Sequence, residues 1–209
     1  GSEAFEIPPV NQIGRIHPLE KLSKTLRMIL ANHGYVETVS YMMSNPEIQV
    51  KLFNREDEMI TVSNPKMEKY TGLRIWLVPN LVETVLLNKE KEKEIKIFEI
   101  GDVVYPCRES DTGACSERRL GIAISHDKAT LTDGLAIVNS ILETLGLNPV
   151  YAKKEVKGLL PERTASITIN NVEVGFVGEI HPSILARIGV ENPVIVAEIS
   201  LNKLLDLLK

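Results

Sequence analysis

A chain of 209 residues with net charge −4 and a pI near 5.7 carries no global basic field, so charge alone does not hold it on nucleic acid. Its 44% hydrophobic and 25% charged residues exclude a disordered or fibrous chain and give an ordinary globular balance. The length suits one large domain or two small ones. No apolar run reaches a membrane span and no signal peptide is visible, so the chain reads as cytosolic.

Residues 1–15 read as a tag remnant and linker, with Gly1-Ser2 at the front and Pro8-Pro9 inside. The rest, 16–209, is expected to form one domain, because every predicted helix needs the same sheet to cover its apolar stripe. The spacing predicts a helix over 17–33, opened by Pro18 and stopped by Gly34. Leu19, Leu22, Leu26, Ile29 and Leu30 fall on one stripe at steps of three and four, and Met28 widens it. That width nominates the five as a subunit interface. Residues 34–43 then alternate as a strand.

Residues 44–54 read as a short helix with Pro46 near its start, and 59–65 as a short strand. GLRIWLVPN is apolar around Arg74. Pro79 opens a helix that runs through Asn80 to Glu94, with Lys89–Glu94 as its solvated end. IKIFEIGDVVY, 95–105, has apolar residues on both faces and reads as a central strand covered on both sides. Residues 106–117 form a polar loop with Cys107 and Cys115 eight apart. That is not zinc-ribbon spacing, and free loop thiols are expected.

RRLGIAISH is a strand, and 132–146 a helix with Thr132 as cap and Gly146 as stop. NPVYAKKEV is an edge-like strand, and GLLPERTA a loop. Ile167–Phe176 reads as a hairpin, with Asn170-Asn171 as a type I′ turn. Gly175 and Gly178 suggest a bulge or a close backbone approach. Pro182 opens another helix. Glu179 and His181 share a face; they form either a polar pair in a cleft or part of a solvated sheet edge, and spacing favours the edge. PVIVAEISL is a buried strand and NKLLDLLK a closing helix. The pattern predicts an α+β fold, an antiparallel sheet flanked by helices.

Known chemistry leaves few marks. There is no Gly-rich phosphate loop, no nucleophile elbow, and the four histidines show no metal spacing. Arg74 is either an anion clamp or the structural partner of Glu83 or Glu99, and the structural reading is preferred. Glu99 on a central strand must be paired or face a cleft. Arg163 has the same two readings. His33 suits a helix C-terminus, where its charge complements the dipole.

The order of pieces carries a resemblance. HPLEKLSKTLRMILANHGYVETVSYMM, VSNP, GLRIWLVPNLVETVLLN, IFEIGDVVY, PERTASI, VEVGFVGEIHPSIL and VIVAEISLNKLL resemble, in sequence, the beta subunit of phenylalanyl-tRNA synthetases of archaeal and eukaryotic type. The resemblance implies a class II synthetase-like fold without catalytic signatures. Helix 17–33 and the strand after it stand where motif 1 builds subunit interfaces. Strand 95–105 stands in the place of motif 2, and 194–205 in that of motif 3. Neither carries the arginine that a catalytic member needs. The family's Pro-Gly-Arg turn is here Pro161-Glu162-Arg163.

In such enzymes the alpha subunit binds ATP, phenylalanine and the tRNA acceptor end, with magnesium, and two alpha and two beta chains assemble. This chain is therefore expected to carry no catalytic residue, no cofactor and no metal of its own. Its expected partner is the alpha subunit, with tRNA met indirectly and a homodimer formed in isolation. An autonomous class II-like ligase and a stand-alone RNA- or nucleotide-binding module are the competing readings. The missing motif arginines weigh against the first and the acidic pI against the second.

Overall fold

A computed structural model describes residues 13–40, Phe53 and residues 74–209. The helix expected over 44–54 and the strand over 59–65 lie outside the described residues, Phe53 excepted. Helix α1, Ile13–Asn32, starts before the predicted boundary, so Pro18 lies inside it rather than at its first turn. A proline there leaves one carbonyl of the preceding turn without its helical donor. Gly34 ends the helix at φ 84°. Of the strand expected over 34–43, β1 is Val36–Glu37, and 41–43 lie outside the described residues.

Helix α2, Val78–Asn88, has Pro79 in its first turn and stops before the charged run 89–94, which forms an exposed turn instead of a helix end. Asn88 helps end it by donating its side-chain amide to the Thr84 carbonyl. Strands β2, Ile95–Pro106, and β3, Ala114–Ser125, make a long hairpin. Their ladder sets the Cys107 and Cys115 Cα atoms 5.7 Å apart, and the two are joined as a disulfide. The expectation of free thiols is corrected: β3 begins at Ala114 inside what reads as a polar loop, Cys107 directly follows β2, and closure of the hairpin end supplies the proximity that spacing does not show.

Helix α3, Leu131–Thr144, is capped by Thr130, not Thr132. Asp133 accepts from the Thr130 amide at 2.9 Å and completes a capping box. Strand β4, Val150–Lys153, is an edge as predicted. Strand β5, Leu159–Ile169, absorbs the expected GLLPERTA loop, with a register shift between Leu159 and Thr164. It turns at Asn170-Asn171, φ 49° and 64°, into β6, Val172–Ile180; both values are those a type I′ turn requires. The expected bulge is present: the register shifts past Ile167, and Val174 and Val177, three apart, both enter one core. Helix α4, Pro182–Ile188, follows His181, whose ring accepts from the Ser183 amide at 3.1 Å. Strand β7, Val194–Ser200, leads directly into α5, Leu201–Leu207.

Among the described residues seven strands form one sheet in the order β1-β2-β3-β7-β6-β5-β4, antiparallel except for β1 against β2. The expected α+β class, a mostly antiparallel sheet with helices, is observed. Each face has its own core. On one side α1, α3 and α5 cover Phe98, Leu120, Ile122, Ile195 and Ile199. On the other, α2 and α4 cover Ile97, Val103, Ala123, Val194 and Val196. β2 thus has apolar residues in both cores, although among the described residues only the two-residue β1 flanks it outside. Among the described residues no helix is long and apolar enough to cross a membrane.

Candidate functional site

The described residues cover the second face of the sheet only in part. A groove of about 840 Å³ lies over β3, β7 and β6, beside the start of α2. Its apolar wall is Trp76 and Phe176, with ring centroids 5.9 Å apart. Its floor is charged: Arg119, Glu117 and Glu198, with Ser200 beside them.

Strand register explains the floor. Glu99 faces Gly121 across β2–β3, and Gly121 faces Glu198 across β3–β7. The next row holds Gly101, Arg119 and Ser200, and the one after pairs Val103 with Glu117. Alternation along each strand sends these side chains to the α2 face. The two glycines in these rows make room. A Cβ on Gly101 would lie 2.1 Å from the Arg74 Nη2, and one on Gly121 2.9 Å from Leu81.

Glu198 is 1% exposed and fully engaged. Its Oε1 accepts from the Leu77 amide at 2.6 Å and the Val78 amide at 3.1 Å, the first amides of α2. A carboxylate there satisfies helix donors and complements the dipole. Its Oε2 accepts from Arg119 Nη1 at 2.8 Å. Arg119 Nε donates to Glu117 at 3.0 Å, and the guanidinium lies 5.5 Å from the Tyr105 ring centre. Burial works against the Arg119 charge, but Glu198 and then Glu117 outweigh it and hold its pKa above the ordinary guanidinium value. The Ser200 hydroxyl donates to Glu117 and accepts from the Lys203 amide, capping α5.

The predicted site residues fall as follows. Arg74 takes the structural reading, with Glu99 and not Glu83 as partner: Nη1 donates to Glu99 at 3.0 Å with both side chains buried. Ser40 gives Glu99 two more hydrogen bonds, at 2.7 and 3.1 Å. Arg163 donates to Glu179 at 2.8 Å. Because β6 lies between β5 and β7, Glu179 is buried, not on a solvated edge; the reading that spacing favoured is corrected. His181 stands apart from that pair, capping α4 at the groove rim. His33 Nδ1 lies 2.8 Å from the Ile29 carbonyl at the end of α1.

Leu22, Leu26, Ile29 and Leu30 are buried in the chain's own core, and Leu19 packs against it. Met28, on another side of α1, is 67% exposed. Arg119, Arg118 and Glu117 carry no expectation in the sequence reading. Their signal was Glu-Arg-Arg entering an apolar strand, where a charged side chain must find a buried partner. Arg118 donates to Asp102 at 3.1 Å and also to Glu20, tying β2 and β3 to α1. Among the described residues no group of three or more His, Cys, Asp or Glu is gathered that could hold a metal ion.

The geometry defines an α+β module whose sheet face presents arginines already matched to carboxylates. A family model described as the phenylalanyl tRNA synthetase beta chain CLM domain matches residues 6–201, and the chain belongs to that family. It is similar to the phenylalanine–tRNA ligase beta subunit of Thermofilum pendens, 34% identical over 200 residues, covering 95% of this chain and 36% of the relative. The beta subunit of Pyrococcus abyssi is 30% identical over 200 residues, with the same shares. That of Korarchaeum cryptofilum is 31% identical over 199 residues, 94% of this chain and 36% of the relative. The chain thus spans about a third of the length of these curated relatives.

Proposed function

We propose that this chain is the non-catalytic, class II synthetase-like module of a phenylalanyl-tRNA synthetase beta subunit, and that it scaffolds the alpha subunit. The alpha subunit would carry ATP, magnesium and phenylalanine in a cytoplasmic assembly of two alpha and two beta chains, with tRNA met only indirectly by this module. The observation that carries the reading is the state of Arg119. Adenylate formation needs a cation that faces the reacting phosphate. The guanidinium at the groove floor is held by two carboxylates, Glu117 and Glu198. An incoming phosphate meets more carboxylate than guanidinium there, and the repulsion is strengthened in a partly dry groove.

The stripe of four leucines and one isoleucine on α1 is engaged with the chain's own core, so a subunit contact through α1 uses the side that carries Met28. The test is light scattering after size exclusion of this chain mixed with a cognate alpha subunit. Co-elution at a mass above either chain supports the scaffold. Separate elution at micromolar concentrations contradicts it.

A further inference from the structure

We propose that Glu198 is a built-in ligand: its carboxylate fills, from inside the sheet, an anion-binding position formed by the Leu77 and Val78 amides and the Arg119 guanidinium. The inference deepens the reading of an inert groove and rests on it only there. Four observations support it. Glu198 is almost fully buried, yet it has no apolar role on its face. Its two oxygens divide the work, Oε1 to two amides and Oε2 to the guanidinium. The helix it caps has 11 residues, long enough for its N-terminal partial charge to matter. Its register partner on β3 is Gly121, and Leu77 packs at that glycine, so the helix start is pressed onto the row that Glu198 occupies.

A backbone pair of donors plus a guanidinium is what a carboxylate or phosphate recognises. Here the ligand is covalently part of the chain, so it occupies its position at a very high effective concentration. External anions cannot compete, and the groove floor has no anion affinity left. Glu117 holds Arg119 by a different nitrogen, Nε, and would keep the guanidinium in place if Glu198 were truncated.

Glu198→Ala removes one CH₂ and one carboxylate, the size of acetate. The 209-residue chain carrying Glu198→Ala is melted in acetate and in chloride at matched pH and ionic strength. In chloride the variant loses roughly 10 °C, because two buried amides lose their acceptor and the guanidinium loses one of its two carboxylates. Acetate restores roughly half of that loss, saturably, as a ligand of the folded state does. The parent chain and Glu198→Gln, which keeps the position filled, show no acetate-specific gain. If the variant is unfolded in chloride, folding in acetate supports the proposal, and remaining unfolded in both overturns it. Equal melting in both salts also overturns it. The readout is stability, so the result is independent of pyrophosphate exchange and of alpha-subunit binding, which test the proposed function.

Discussion

Glu99 and Glu198 stand on one cross-strand row of the sheet, with Gly121 between them, and each holds an arginine: Arg74 at 3.0 Å and Arg119 at 2.8 Å. Both carboxylates are buried, and both tie the segment 74–78, which precedes and opens α2, to the sheet. On β2 and β7 these positions present anions that anchor a helix.

Arg74→Met leaves Glu99 buried with, among the described residues, Ser40 as its remaining side-chain partner. We expect a loss of about 3–5 kcal/mol, from breaking one side of a buried pair. Urea denaturation checks it. Adding Glu99→Gln to Arg74→Met should restore part of the loss, since the second change removes the unpaired charge. A loss below about 1 kcal/mol for the single variant would mean that the pair has no structural weight.

Reduction of Cys107–Cys115 opens a short hairpin loop, worth about 2–3 kcal/mol in chain entropy. The melting temperature should fall by roughly 5–10 °C in a reductant that leaves the rest of the chain intact. Cys107→Ser with Cys115→Ser should match the reduced chain. An unchanged melting temperature in reductant would show that the clip constrains nothing.

Tyr151 donates to Asn139 at 2.7 Å, and burial pushes its hydroxyl up to about 12. Tyr35 is raised as well, by burial and then by Asp133 and Glu94. A raised folded-state value keeps these phenols neutral while the unfolded chain ionises near pH 10. Stability should therefore be flat in this respect below about pH 10 and fall between about pH 10 and 12. Tyr151→Phe should cost about 1 kcal/mol at pH 7 and make that alkaline fall shallower. Denaturation midpoints across the pH range measure both.

The two sides of α1 separate folding from assembly. Leu26→Asp puts an unpaired charge at a fully buried position and should unfold the chain. Met28→Asp should leave circular dichroism and the melting temperature within about 2 °C of the parent, the range of surface substitutions. Under the scaffold proposal it should weaken co-elution with the alpha subunit. Unchanged co-elution would move the contact off this helix.

Local chemistry was legible wherever one residue type answers one backbone need. Asn170-Asn171 predicts its turn, Pro182 its helix start, and Gly34 and Gly146 their helix ends, because each solves a local φ problem. Glu99 was legible in part: a carboxylate in an apolar strand must be paired, although the choice between Glu83 and Glu99 for Arg74 needed the fold. What was not legible is cross-strand register. The disulfide, the burial of Glu179 between two strands and the Arg119–Glu198 pair all depend on how the ladders order and align the strands, which brings residues of neighbouring rows together. Thr130 rather than Thr132 caps α3 because Asp133 stands three residues after it and closes the capping box, whereas Leu135 stands three after Thr132.

Under the proposed function this module supplies no chemistry of its own. Phenylalanine-dependent exchange of pyrophosphate into ATP by the isolated 209-residue chain, with magnesium and saturating ATP, tests it most directly. Exchange no faster than the enzyme-free rate is expected, because Arg119 is committed to Glu117 and Glu198. Robust exchange that disappears in Arg119→Ala or Arg74→Ala, with the fold intact by circular dichroism, would contradict it.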